Sequence, residues 1–198
     1  MGWERADPIF PWLVDIRRTF HRYPELSYQE ARTAQVIMAE LDRMGIPYRY
    51  DGVGSAVVGR LGGGEGPVVA LRADMDALPI NGAARLPFAS EVPGVMHACG
   101  HDAHMTMVLG AAELLRGSPP PGQVLFVFQP AEERGNGATV VLEAGALEQL
   151  EAMAVLDVEG LDLDAVGLEV ELAVGQHAVD VQREQTDAAQ AVGQQRVL

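Results

Sequence analysis

The chain has 198 residues, 48% of them apolar, 21% charged and 6% aromatic, which suits one ordinary globular core and excludes a disordered, collagenous or coiled-coil protein. Fourteen arginines, no lysine and 28 acidic residues leave a formal charge of −14, which disfavours nucleic acid and anionic membrane surfaces as partners. Apolar stretches are broken within about ten residues, short of the roughly 20 that span a bilayer, and residues 1–7 show no basic-then-apolar leader, so a cytoplasmic protein is expected.

Phe10, Leu13, Val14, Ile16 and Phe20 recur at helical spacing, with Arg17, Arg18 and Arg22 toward the end where cations suit the helix dipole. Pro24 stops this helix. Ser27 with Glu30 reads as a capping box for a second helix, Ala31 to Met44, ended by Gly45. Ser55 to Leu61 and Val68 to Arg72 read as short strands, and the glycines between them as a hairpin turn. Ala103 to Arg116 carries an apolar stripe of Met107, Val108, Ala111, Leu114 and Leu115 and runs into three prolines. Val124 to Phe128 is apolar without alternation, the pattern of a strand buried on both faces. Ala138 to Leu150 reads as a helix and Ala152 to Val158 as another buried strand. Strands alternating with helices predict an α/β fold, a doubly wound, mostly parallel sheet flanked by helices, with its ligand site at the carboxyl ends of the strands. Asp74 and Asp76, Glu132 and Glu133, and Asp157 all fall at such ends.

The densest chemistry lies between Met96 and His104, where Cys99, His97, His101, His104 and Asp102 crowd together just before a helix. Thiol and imidazole are ligands for borderline divalent metals, and a carboxylate beside an imidazole can orient the ring. No paired Cys-x-x-Cys unit marks a structural zinc site; a set completed by carboxylates points instead to a catalytic site that keeps a position open for water. The competing interpretation is a buried Cys99 with histidines serving as helix caps. Cys99 is the single cysteine, so an internal disulfide is excluded and a redox role lacks a resolving partner. By the two-residue strand period, Asp74 and Asp76 point the same way, or they are turn-forming aspartates. Glu132 and Glu133 either divide metal binding and proton transfer between them or form an exposed pair at a helix start.

Four strings, HRYPELSYQEARTA from His21, RADMDALPI from Arg72, MHACGHDAHMTMVLGAAELL from Met96 and GQVLFVFQPAEERGNGA from Gly122, resemble in order the metal-dependent amidohydrolases that include N-acyl-amino-acid amidohydrolase, hippurate hydrolase and plant auxin-conjugate hydrolases. The resemblance implies a zinc-exopeptidase-like α/β domain, incomplete in this chain, with two divalent metal ions. Zinc or manganese are the first expectation, and nickel or cobalt the next. It implies that Cys99, His101 and Glu133 are metal ligands, that Glu132 is the general base and that Asp76 supports the site. At the next ligand position the family has a histidine where this chain has Asp157, as more distant aminopeptidase-like relatives do; a harder ligand there can alter metal preference.

Beyond Val158 the resemblance stops, where such enzymes continue into a lid and dimerisation domain and return with a final histidine ligand. His177 lacks the surrounding motif of that histidine. Residues 157–198 carry half of the net charge, and 176–198 hold six glutamines. The expected organisation is therefore the first part of a metallopeptidase-like catalytic domain in 1–158 and an unassigned acidic, Gln-rich tail in 159–198. The expected function is hydrolysis of the amide bond of N-acyl amino acids or small peptides by activated water, with homo-oligomerisation left open. The alternative is a truncated, non-catalytic remnant that binds a metal or a partner chain.

Overall fold

The computed structural model describes residues 6–63, 66–82, 86–143 and the backbone of 153–157. Helices α1 (Phe10–Arg22) and α2 (Ala31–Met44) are followed by strands β1 (Tyr48–Tyr50), β2 (Val57–Gly62) and β3 (Val68–Asp74), helix α3 (His101–Arg116), strand β4 (Gln123–Gln129), a 3-10 turn at Glu132–Arg134, helix α4 (Gly137–Glu143) and strand β5 (Met153–Asp157). No helix among the described residues is long and apolar enough to cross a membrane.

The helices form where the apolar periodicity predicts. α1 buries Leu13, Ile16 and Phe20, and α2 buries Ala34, Ile37 and Leu41. The end of α2 is set by Gly45, whose left-handed φ of 70° lets the Ile46 N–H return to the Leu41 carbonyl at 2.9 Å while the Ile46 side chain stays buried. Its start differs from the expected capping box. Ser27 and Glu30 make no side-chain cap, and Glu25 takes over: its carboxylate accepts the N–H groups of Arg32 and Thr33 at 3.1 and 2.8 Å. The presumed box residues are occupied elsewhere.

The five strands lie in the order β1-β2-β4-β3-β5. β4 runs parallel to β3, and β3 parallel to β5, whereas β2 is antiparallel to both β1 and β4. The α/β expectation holds, with parallel pairing confined to β3, β4 and β5. The hairpin expected across Gly62 to Gly66 does not form, because β4 inserts between β2 and β3. β4 has the continuous apolar run that a central position demands, with Val124, Leu125, Phe126, Val127 and Phe128 all buried.

One face of the sheet packs Val57, Leu71, Ala73, Val124, Phe126 and Phe128 against α1, α2 and α3, and the other packs Val58, Ala70, Leu125 and Val127 with Val141 of α4. Burial on both faces fixes the two central strands, whose carboxyl ends meet at Asp74 and Gln129. The structure of residues 144–150, part of the predicted helix from Ala138 to Leu150, and of the predicted tail 159–198 lies outside the described residues.

Candidate metal centre

Three chain segments converge at the carboxyl ends of β3 and β4. β3 delivers Asp76 two residues past its end, β4 delivers Glu132 and Glu133, and Cys99 and His101 lie at the start of α3. Backbone pairing brings the third segment in: Leu78 and Met96 exchange two hydrogen bonds of 3.0 Å, and the Ala77 N–H donates to the Glu25 carbonyl at 2.8 Å. The distance in sequence from Asp76 to Cys99 is thereby closed.

Asp76 organises the arrangement. Its buried carboxylate accepts the Ser27 hydroxyl at 2.6 Å and the N–H groups of Glu132 and Glu133, each at 3.1 Å. Burial opposes its charge, but the neighbouring His101, the Ser27 hydroxyl and the Glu133 N–H outweigh that and hold Asp76 below the usual carboxylate range. The Asp76 carbonyl accepts Nδ1–H of His101 at 2.8 Å and lies 3.8 Å from the Cys99 sulfur. A histidine tied through Nδ1 to a backbone carbonyl leaves Nε2 as its ligand atom.

The result is a cluster in which one ligand atom each from Cys99, His101 and Glu133 lies within 4.8 Å of the others. The donors are thiol, imidazole and carboxylate, a set that suits borderline divalent metals. Electrostatics favour a cation there as well. Burial works against a charge on His101, yet Asp76 and Cys99 push its pKa up to about 12. Desolvation, with the like charges of Glu132 and Asp76, raises Glu133 despite the attraction of His101. The donor set and the charge around it therefore fit a divalent metal, which would replace the proton held by His101.

Glu132 stands apart from its neighbour. It is outside the three-residue cluster, its carboxylate lies 3.8 Å from His101 Nε2, and its side chain is 37% exposed. Both adjacent acids are open to water, Glu133 as an exposed residue.

Asp74 and Asp76 are both buried but take different partners. β3 ends at Asp74, whose carboxylate meets Arg72 at 2.7 Å. His97 is buried with Nδ1 4.0 Å from the Cys99 sulfur, and burial pulls its pKa down to about 4 against the attraction of Asp102. His104 lies beside His101, with ring centres 6.0 Å apart, but is not in the ligand cluster. The backbone of Asp157 ends β5, two strands from β4 and opposite Arg72.

Asp102, expected as the carboxylate that orients an imidazole, does so for His21, and residues read only as helix-forming support the site as well. Asp102 is buried beneath the first turn of α3, accepting from His21 Nδ1 at 2.8 Å with Arg17 Nε at 3.4 Å. Burial would raise its pKa, and His21 and Arg17 hold it well below the usual range instead. Ser27 and Glu30 join from the segment before α2. Beyond the capping-box pattern, the sequence signal for them was their place in the first of the four resembling strings.

Comparison with known proteins places the chain in a family. The family model for peptidase family M20/M25/M40 matches residues 70–195, running past Val158, where the resemblance read from the sequence stops. An Arabidopsis thaliana protein named IAA-amino acid hydrolase ILR1-like 5 is 48% identical over 159 residues, covering 79% of this chain and 37% of that protein. The N-acetylcysteine deacetylase of Bacillus subtilis is 46% identical over 148 residues, covering 71% of this chain and 38% of that enzyme. The chain thus spans under two fifths of the length of these relatives. Among solved structures, the Bacillus subtilis YXEP protein, described as a dinuclear metal-binding peptidase of the M20 family, aligns with a TM-score of 0.70 and 42% identity over 75% of this chain and 43% of its own. With its family match, its sequence relatives and its fold in agreement, the chain belongs to peptidase family M20/M25/M40.

Proposed function

We propose that this chain carries the water-activating part of a metal-dependent amidohydrolase that cleaves the amide bond of N-acyl amino acids or small peptides. The observation that carries the reading is the meeting of Cys99, His101 and Glu133 within 4.8 Å, with the Glu132 carboxylate beside them and accessible to solvent. Cys99, His101 and Glu133 would hold divalent metal, with Asp157 as a further ligand. Two ions are proposed, zinc or manganese first, in keeping with the dinuclear description of the YXEP protein. Bound metal supplies a Lewis acid that polarises the amide carbonyl and acidifies water.

Glu132 then takes the proton of the attacking water and passes it to the leaving amine. Its backbone N–H on Asp76 holds it in place, and its partial exposure gives it access to water. The Asp76 carboxylate holds the N–H groups of Glu132 and Glu133 while its backbone carbonyl holds the His101 tautomer, so one buried residue sets the relative position of base and ligands. The substrate class is supported by relatives named as an IAA-amino acid hydrolase and an N-acetylcysteine deacetylase. A reducing, cytoplasmic setting suits a single cysteine kept for metal.

The test is Glu132→Gln assayed on an N-acetyl or N-benzoyl amino acid, with metal content measured in parallel. Metal content is expected to persist at about two equivalents while turnover falls at least about 100-fold. Undiminished turnover in this variant would remove Glu132 from its role. A wild-type chain with one equivalent or none and no turnover would be a non-catalytic remnant.

A further inference from the structure

The segment after β4 is restrained from Gln129 to Glu133. The Gln129 carbonyl accepts the Met75 N–H at 2.8 Å, and its side-chain oxygen accepts Arg72 Nε–H at 2.9 Å. The Pro130 carbonyl packs so closely on Gly137 that any side chain there would collide with it. Glu132 and Glu133 give their N–H groups to Asp76. Between these points sits Ala131, fully buried, at φ 51° and ψ 41°. The left-handed region disfavours alanine against glycine by about tenfold in population, so something must hold it there.

The Ala131 N–H donates to Glu30 Oε1 at 2.9 Å across 101 residues of sequence. Glu30 is 1% exposed, stands at the start of α2 and makes no side-chain cap there. Its burial therefore has a purpose other than starting that helix. We propose that Glu30 is a positioning residue: by holding the Ala131 N–H it keeps that peptide left-handed, so that Glu132 and Glu133 leave the chain toward His101 and Cys99. The inference rests on the roles proposed above for those two acids. The acceptor oxygen does the holding. Burial, with a smaller push from Asp76, raises the pKa of Glu30, so an amide of the same shape can replace it.

The experiment compares the full chain with Glu30→Ala, Glu30→Gln and the double variant Glu30→Ala with Ala131→Gly. Amide hydrogen exchange across 129–134 is measured without metal, and Co2+ binding is followed by its absorption spectrum. Glu30→Ala is expected to speed exchange and weaken Co2+ binding by about tenfold each, since restraint on a conformation of that cost is lost. Glu30→Gln restores both, and the double variant recovers most of the loss because glycine accepts the left-handed conformation without help. Should Glu30→Ala not fold, Glu30→Met fills the same space without the acceptor and takes its place.

Wild-type exchange rates and Co2+ affinity in Glu30→Ala would overturn the proposal, as would a double variant no better than Glu30→Ala. A wild-type chain that took up no Co2+ would defeat the metal-site reading alone. The exchange series would still decide the role of Glu30.

Discussion

The two ends of α3 carry the same kinds of residue to different effect. At its first turn His101 and Asp102 are each 1% exposed, enclosed by Asp76, His21 and Arg17. At its last turn Glu113 pairs with Arg116 at 2.6 Å and with Arg43 at 3.1 Å, and those arginines are 41% and 44% exposed. Charges at the buried end have given up water, so each depends on a specific partner and fixes geometry. The arginines at the exposed end keep much of their hydration, so their pairs with the half-buried Glu113 only trim stability. The lesson is that the same composition organises a site at one end and decorates a surface at the other.

The sharpest way to break this comparison is Asp102→Asn. Removing the charge leaves Arg17 and His21 facing a neutral amide in a buried site, at a cost of about 3 kcal/mol. A lower urea midpoint with an unchanged slope is the expected result. A loss under about 1 kcal/mol would put both ends of α3 on the same footing.

Next in size is the pair Ser27→Ala and Glu25→Gln. Ser27→Ala removes the hydroxyl from Asp76, costs about 1 to 2 kcal/mol and weakens metal uptake. Glu25→Gln weakens the observed cap of α2 by about 1 kcal/mol and leaves metal uptake in place. Metal titration and thermal unfolding on both variants separate the two roles. A Ser27→Ala variant with intact metal uptake and reduced helix content would restore the capping box.

The smallest effect belongs to Glu113→Gln. Partial burial would raise the Glu113 pKa, but Arg116, with Arg43, outweighs that and lowers it from the ordinary 4.5. An acid whose folded pKa is depressed stabilises the fold above its unfolded value and loses that contribution as pH falls through the folded one. The wild type should therefore exceed Glu113→Gln by under about 1 kcal/mol at neutral pH, with the difference disappearing as acidification passes below the depressed folded pKa. A difference that grew on acidification would contradict the ion pair.

Much of this was legible in the residues. α1 and α2 follow from apolar spacing, and β4 from its unbroken apolar run, because these patterns report local geometry and burial. The density of Cys99 and His101, with Glu132 and Glu133 after a buried strand, pointed to a metal site, and the four resembling strings sharpened that to named ligands. The start of α2 was misread for a physical reason. A Ser followed three residues later by Glu satisfies the local capping pattern, yet Asp76 and the Ala131 N–H offered buried partners that outcompete a solvent-exposed cap.

The sequence by itself determined the class of the fold, most of its helices and strands, and the chemistry available for a metal. These depend on side-chain type and short-range periodicity. Only the tertiary structure decided that β4 separates β2 from β3, that Asp76 binds three segments into one site, and that Glu30 secures a strained peptide 101 residues away. Those outcomes depend on partners distant in the chain, which compete through burial and hydrogen bonding that no local pattern records.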